Sequence, residues 1–228
     1  MTIDKEAILN LLNDFSFDYE DGMFVFTCED NTSLRNYLVN IKEFNAFSLN
    51  NGASKCVIIP DYEDFVIKLP YTGEWLEAEE EADEDFYYQT FYDGADGWDY
   101  CRTEYYHYED ARAEGLDQYL APTTCIGYLA GTGFPVYVQP KCKIFTHTSI
   151  SHSPEERNTT KETIKSSGVR KYDLPIDWLT DFRVIYGESE LIRFLSFLEK
   201  EEWRDLRGDN VGYLNGKPVL VDYSDFWG

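Results

Sequence analysis

Long apolar runs are absent from this chain, and so is a basic segment leading into an apolar core at its start. Mean hydropathy is −0.47, no stretch is long and apolar enough to span a bilayer, and Met1-Thr2-Ile3-Asp4-Lys5-Glu6 does not read as a signal peptide. No membrane association and a cytoplasmic location are therefore expected. Cysteine pairs are missing as well. The five cysteines, Cys28, Cys56, Cys101, Cys125 and Cys142, are odd in number and never spaced Cys-x-x-Cys, so they read as reduced thiols and not as a zinc site. Histidine is scarce, and His147 and His152, with no further ligand near them in sequence, read as ordinary surface side chains. Positive charge is the largest deficit: 20 Lys and Arg stand against 43 Asp and Glu, a formal net charge of −23. Such a surface repels nucleic-acid backbones and anionic lipid, so direct nucleic-acid binding is not expected. It serves solubility, or it attracts a basic protein partner.

What the chain does contain is enough apolar material to fold. At 228 residues with 43% hydrophobic and 17% aromatic side chains, it can bury one large core or two lobes. Residues 4–14 read as a short amphipathic helix with Asp4 as cap and Ile8, Leu11 and Leu12 on one face. Gly22 to Thr27 reads as a strand. A second helix is predicted from Thr32-Ser33, with Leu34, Leu38, Ile41 and Phe44 or Phe47 at helical spacing. After a small-residue loop, Asn50 to Lys55, two β-branched runs, Cys56–Ile59 and Phe65–Pro70, flank a Pro-Asp turn and predict a hairpin. Lys68 sits inside the second run. At a sheet edge such a lysine snorkels; inside a sheet it requires an anion.

Glu74 to Asp99 is acidic and aromatic, suited to a solvated helix or a disordered insertion, and Asp93-Gly94-Ala95-Asp96-Gly97 lacks calcium-loop spacing. Asp99 to Leu120 predicts a helix ending near Gly115, with Glu104, Tyr105, Tyr108 and Ala111 or Arg112 on one broad face. Cys125–Leu129 and Phe134–Gln139 predict a second hairpin, and Pro140 to Lys143 marks the exit from the sheet. Ser153-Pro154-Glu155-Glu156 opens a helix. Leu174 to Tyr186 forms another, and Glu188 to Trp203 a third, with Leu191, Phe194, Leu195 and Leu198 facing a core.

That last helix leads into Trp203-Arg204-Asp205-Leu206-Arg207-Gly208-Asp209-Asn210 and then Lys217-Pro218-Val219-Leu220-Val221-Asp222-Tyr223-Ser224. An Asp, an Asn five residues on, a short apolar strand and a second Asp at its end can converge on one Mg²⁺-nucleotide. Taken alone, Asp205 and Asn210 also suit a capped turn.

In chain order these parts resemble the protein kinase superfamily over roughly residues 50–226, and compact bacterial and phage kinase-like proteins in particular. Residues 204–210 resemble the family's His-Arg-Asp-Leu-x-x-x-Asn catalytic loop, with Trp203 in place of the His, and Asp222-Tyr223-Ser224 resembles its Asp-Phe-Gly. The resemblance implies an α+β, two-lobed kinase-like fold, with an N-terminal extension and small antiparallel-sheet lobe at 1–143 and a reduced, mostly helical lobe at 144–228. It implies ATP and Mg²⁺ as cofactors and phosphoryl transfer to a hydroxyl of protein Ser or Thr. Asp205 would act on the acceptor hydroxyl, with Arg207 close to the transferred phosphate. Asn210 and Asp222 would hold the metal. Lys68 would reach the α- and β-phosphates, with Glu104 or Glu109 as its partner. Gly52, Ala53 and Ser54 would cover the phosphates, and Gln139 to Lys141 would form the adenine hinge. The loop at 52–54 lacks the family's Gly-x-Gly-x-x-Gly, and no activation segment follows Asp222. The degraded phosphate loop and the net charge of −23 support the alternative, a catalytically weak, pseudokinase-like acidic binding or inhibitory protein that grips a basic partner.

Overall fold

A computed structural model describes residues 4–13, 16–20, 23–27, 47–51, 55–60, 64–70, 73–76, 87–90, 100–130, 135–146, 152–204 and 206–223. The architecture is α+β, with antiparallel sheets and five helices among the described residues. The chain divides into two compact units. The first comprises Met1–Arg102 and Thr123–Lys141, the second Thr103–Pro122 and Cys142–Gly228.

In the first unit, helix α1 (Lys5–Asn13) starts where expected, because the Asp4 carboxylate accepts the Ala7 N–H at 3.0 Å. Ile8 and Leu12 are buried. The strand expected at 22–27 is β2 (Met23–Thr27), and it pairs with β1 (Ser16–Glu20), which the sequence did not mark. The main sheet has five antiparallel strands in the order β3-β4-β5-β9-β8. They are β3 (Phe47–Asn51), β4 (Lys55–Pro60), β5 (Phe65–Pro70), β8 (Thr124–Tyr128) and β9 (Pro135–Pro140). Both predicted hairpins are there, as β4-β5 and β8-β9. The helix predicted from Thr32 falls mostly outside the described residues, and Phe47 belongs instead to β3. The loop expected over Asn50–Lys55 is shorter, since Asn50 and Asn51 pair with Val57 and Cys56, and Lys55 pairs with Pro70. At Gly127 the β8 register shifts, and an added Cβ would meet Leu9 Cδ1 at 2.7 Å, so only glycine lets α1 lie on this strand. A separate hairpin joins β6 (Gly73–Leu76) to β7 (Tyr87–Thr90); the acidic stretch between them lies outside the described residues.

The second unit is mainly helical. Helix α2 (Tyr100–Ala113) stops short of the expected Leu120, with Gly115 in the left-handed region and a 3-10 turn at Asp117–Tyr119. Helix α3 (Pro154–Ser167) begins with the predicted capping box. The Ser153 hydroxyl accepts the Glu156 N–H, and the Glu156 carboxylate accepts the Ser153 N–H. Helix α4 (Ile176–Tyr186) starts two residues later than expected, because Pro175 occupies its N-cap. Helix α5 (Glu188–Lys200) carries the four predicted core residues, and Leu191, Phe194, Leu195 and Leu198 are fully buried. It ends before Trp203: Glu202 adopts a φ of 55° and the chain turns out of the helix. Strand β10 (Lys143–Ile144), in the predicted sheet exit, instead pairs with β11 (Val211–Leu214), and β11 pairs with β12 (Lys217–Leu220) across an Asn215-Gly216 turn. Among the described residues no helix is long and apolar enough to cross a membrane.

His152 departs from its expected surface role. Its Nε2 lies 2.9 Å from Asp181 Oδ1 and its side chain is 11% exposed. Asp181 is a buried carboxylate on α4, and the Tyr213 hydroxyl donates to its other oxygen, so histidine and tyrosine together meet the charge that burial would otherwise penalise. His147 lies outside the described residues.

Buried tyrosines make this unit sensitive to alkali. Burial pushes Tyr186 up to about 12. Burial and then the Glu190 carboxylate raise Tyr119, and burial and then Asp181 raise Tyr213. The folded chain therefore holds protons that the unfolded chain releases above about pH 10. The stability these phenols contribute is complete below that value and declines as pH rises through the folded values. Urea denaturation between pH 8 and 12 should show that decline, and Tyr186→Phe should flatten it.

Candidate functional site

The residues singled out from the sequence divide between the two units. In the first, β5 is the central strand of the five, so Lys68 is not the edge-strand lysine that snorkels. It is 3% exposed, opposite Val57 on β4 and Tyr137 on β9. Alternation along β5 puts Lys68 and Val66 on one face, and Val66 is paired with Gln139, so Gln139 shares that face. Gln139 is buried and donates from Nε2 to Thr123 Oγ1 at 3.0 Å. Lys141 is exposed, and its N–H donates to the Asp64 carbonyl at 2.7 Å, so that backbone donor is used within the unit. Gly52, Ala53 and Ser54 lie outside the described residues.

One residue on this face was missed. Lys55 is also 3% exposed, and the pairs Lys55–Pro70 and Val57–Lys68 put both lysines on the same side of the sheet. Its sequence signal was weak, because it closes a run of small residues and reads as loop.

The second unit holds the carboxylates. Glu104 on α2 is fully buried, whereas Glu109, the alternative, is only half-buried and 3.5 Å from Arg112. The structure thus distinguishes the two by burial, which helix register in the sequence could not do. Asp205 lies outside the described residues. Its neighbours Arg204, Leu206 and Arg207 line an open cleft of about 880 Å³ together with Arg170 and Glu199. Arg207 is exposed and pairs with Asp209 at 3.0 Å, a solvent-facing pair of small energetic weight.

Asn210 and Asp222 are brought together. A 3-10 turn over Gly208–Asn210 leads into β11, and β12 returns the chain antiparallel to it. The Asn210 carbonyl then accepts two backbone donors, Val221 N–H at 2.8 Å and Asp222 N–H at 3.2 Å. Asn210 is 5% exposed, and Asp222 is half-buried. The short loop ends are therefore held by backbone bonds, independently of side-chain rotamers.

Aromatic rings back this arrangement. Trp203 stacks on Tyr223 at 5.9 Å between centroids, with planes 7° apart, and meets Phe197 edge-on. The His107 ring, on α2, also stacks on Trp203, with centroids 4.3 Å apart. Its Nδ1 lies 2.7 Å from the Tyr223 carbonyl oxygen. The Tyr223 hydroxyl donates to the Ala121 carbonyl. His107 was not marked in the sequence, since one histidine among the tyrosines of a helix has no periodic signature.

The side chains of Asn210 and Asp222 offer an amide oxygen and a carboxylate, hard-oxygen donors of the kind that suit Mg²⁺ completed by phosphate and water. They do not form an all-protein cage: among the described residues no three His, Cys, Asp or Glu side chains cluster as metal ligands. No protein-family model matches the chain, and no curated protein matches it.

Gly212 gives a direct test of the strand geometry behind this loop. A Cβ there would lie 2.7 Å from the Lys143 carbonyl oxygen and 3.1 Å from Val221 Cγ2, and the Gly212 carbonyl accepts the Trp178 indole N–H at 3.1 Å. Gly212→Ala should lower stability by about 1–3 kcal/mol through overpacking, read as a reduced urea midpoint. An unchanged midpoint would mean that β10 can shift without cost.

Proposed function

We propose that the protein is an ATP- and Mg²⁺-dependent phosphotransferase with a two-lobed protein kinase-like fold, acting on a hydroxyl of protein Ser or Thr. The observation that carries this reading is the Asn210 backbone carbonyl, which accepts the Val221 and Asp222 N–H groups and so brings these two stretches of backbone together. Further support comes from the sheet. Lys68 stands buried on the third of its five strands in chain order, and the next long helix carries a buried Glu104. The kinase template asks for a lysine and a glutamate in that order.

Bound Mg²⁺-ATP supplies an activated phosphoryl group and the cation that offsets its charge. In this reading Lys68 would meet the α- and β-phosphates, and Glu104 is the acidic residue that the kinase template pairs with such a lysine. Asn210 and Asp222 would hold the metal through oxygen. Asp205 orients the acceptor hydroxyl and takes its proton, and Arg207 meets negative charge at the transferred group. Apart from the proton passed to Asp205, these roles are positioning or charge stabilisation, which is the larger part of what phosphoryl transfer requires of a protein.

The wild-type protein should turn over ATP in the presence of Mg²⁺, and Asp222→Ala or Lys68→Ala should each reduce the rate at least about a hundredfold. If the wild type and both variants bind ATP equally and hydrolyse none, this reading is wrong.

The net charge of −23 favours a second reading, an acidic binding protein for a basic partner. A candidate basic protein, retained at low salt, should be released as ionic strength rises, because exposed charges are screened over about 8–10 Å at 0.10–0.15 M. Retention that does not change with salt would count against an electrostatic grip.

A further inference from the structure

We infer that His107 is a positioning residue for the loop that carries Asp222, acting through a hydrogen bond from its Nδ1–H to the Tyr223 carbonyl. The inference rests on the reading of Asp222 as a metal ligand, but the geometry that supports it stands apart from any ligand.

A carbonyl oxygen only accepts, so the 2.7 Å contact requires that His107 carry a proton on Nδ1. The Trp203 indole beside the ring, 4.3 Å away and inclined by 24°, restrains the plane of the imidazole. Tyr223 is then restrained at two points, its carbonyl by His107 and its hydroxyl by Ala121. Asp222, the preceding residue, is restrained at its own N–H by Asn210. With fixed points on either side, the backbone torsions that aim the Asp222 carboxylate have little freedom.

His107 also stands three residues after Glu104, one turn along the same face of α2. A displacement of α2 that moves Glu104 therefore draws the Tyr223 carbonyl with it or breaks the bond. This couples the helix that presents the buried glutamate to the loop that presents the carboxylate.

Two substitutions separate the donor from the ring. His107→Phe keeps a flat ring against Trp203 and removes the donor. His107→Asn keeps an N–H close to the Nδ1 position and removes the stack. Three measurements apply: nitrogen NMR of the wild-type imidazole, amide hydrogen exchange at Asp222, and titration of Mg²⁺ in the presence of saturating ADP. The expected results are a protonated Nδ1 in the wild type, faster Asp222 exchange in His107→Phe, and an Mg²⁺ affinity about 10- to 100-fold weaker in that variant, the range for lost outer partners of a metal ligand. His107→Asn should stay close to the wild type in both exchange and Mg²⁺ affinity. An unprotonated Nδ1, wild-type exchange in His107→Phe, or equal losses in both variants would overturn the inference, the last by assigning the effect to ring packing. If the wild-type protein takes up no Mg²⁺ with ADP, the phosphotransferase reading fails, and NMR and exchange alone decide whether His107 holds the loop.

Discussion

A single carbonyl oxygen, that of Asn210, receives the backbone N–H groups of both Val221 and Asp222. The rest of the candidate site depends on this junction. It closes the loop between β11 and β12 at its open end, where the Asn215-Gly216 turn closes the other. It also joins the backbones of two residues that stand twelve apart in sequence. Backbone bonds suit this task because they carry no rotamer entropy, and a buried backbone pair is costly to leave unmade. The glycine at 212 serves the same junction, since a side chain there would collide with the Lys143 carbonyl.

Within each unit the protein sets charge against burial. Lys55, Lys68, Glu104 and Asp181 are all nearly removed from water in a chain that is otherwise strongly acidic and charged at its surface. Ionised groups persist in such positions only where counter-charge or hydrogen bonds meet them. For Asp181 those partners are His152 and Tyr213. The aromatic group of Trp203, Tyr223, Phe197 and His107 gives the loop a stiff backing, and it joins α2 to the end of β12 without any long polar side chain.

Much of the local structure was legible in the sequence because its causes are local. Helix α5 announces itself through Leu191, Phe194, Leu195 and Leu198 at a period of 3.6. Helix α3 is marked by the Ser153–Glu156 box, and each expected hairpin by its flanking β-branched runs and turn residues. The candidate site was legible in part for the same reason. Asp205, Asn210 and Asp222 are close in sequence, so their spacing could be read directly. Errors came where a local signal competed with a distant one. Trp203 extends the helical pattern of α5, yet the turn at Glu202 takes it out of the helix to stack with Tyr223 and His107.

The sequence by itself determined the charge, the helices and hairpins whose hydrogen bonds are short-range, and the order in which Lys68, Glu104, Asn210 and Asp222 occur. Tertiary structure decided the rest. It put β5 at the centre of its sheet and thereby buried Lys68, chose Glu104 over Glu109 for burial, and paired β10 with β11 across more than sixty residues. It also brought His107 on α2 to the carbonyl of Tyr223. The physical reason is common to all four. Each depends on which surfaces meet when the chain collapses, and a contact between residues far apart in sequence leaves no periodicity or spacing by which it can be read beforehand.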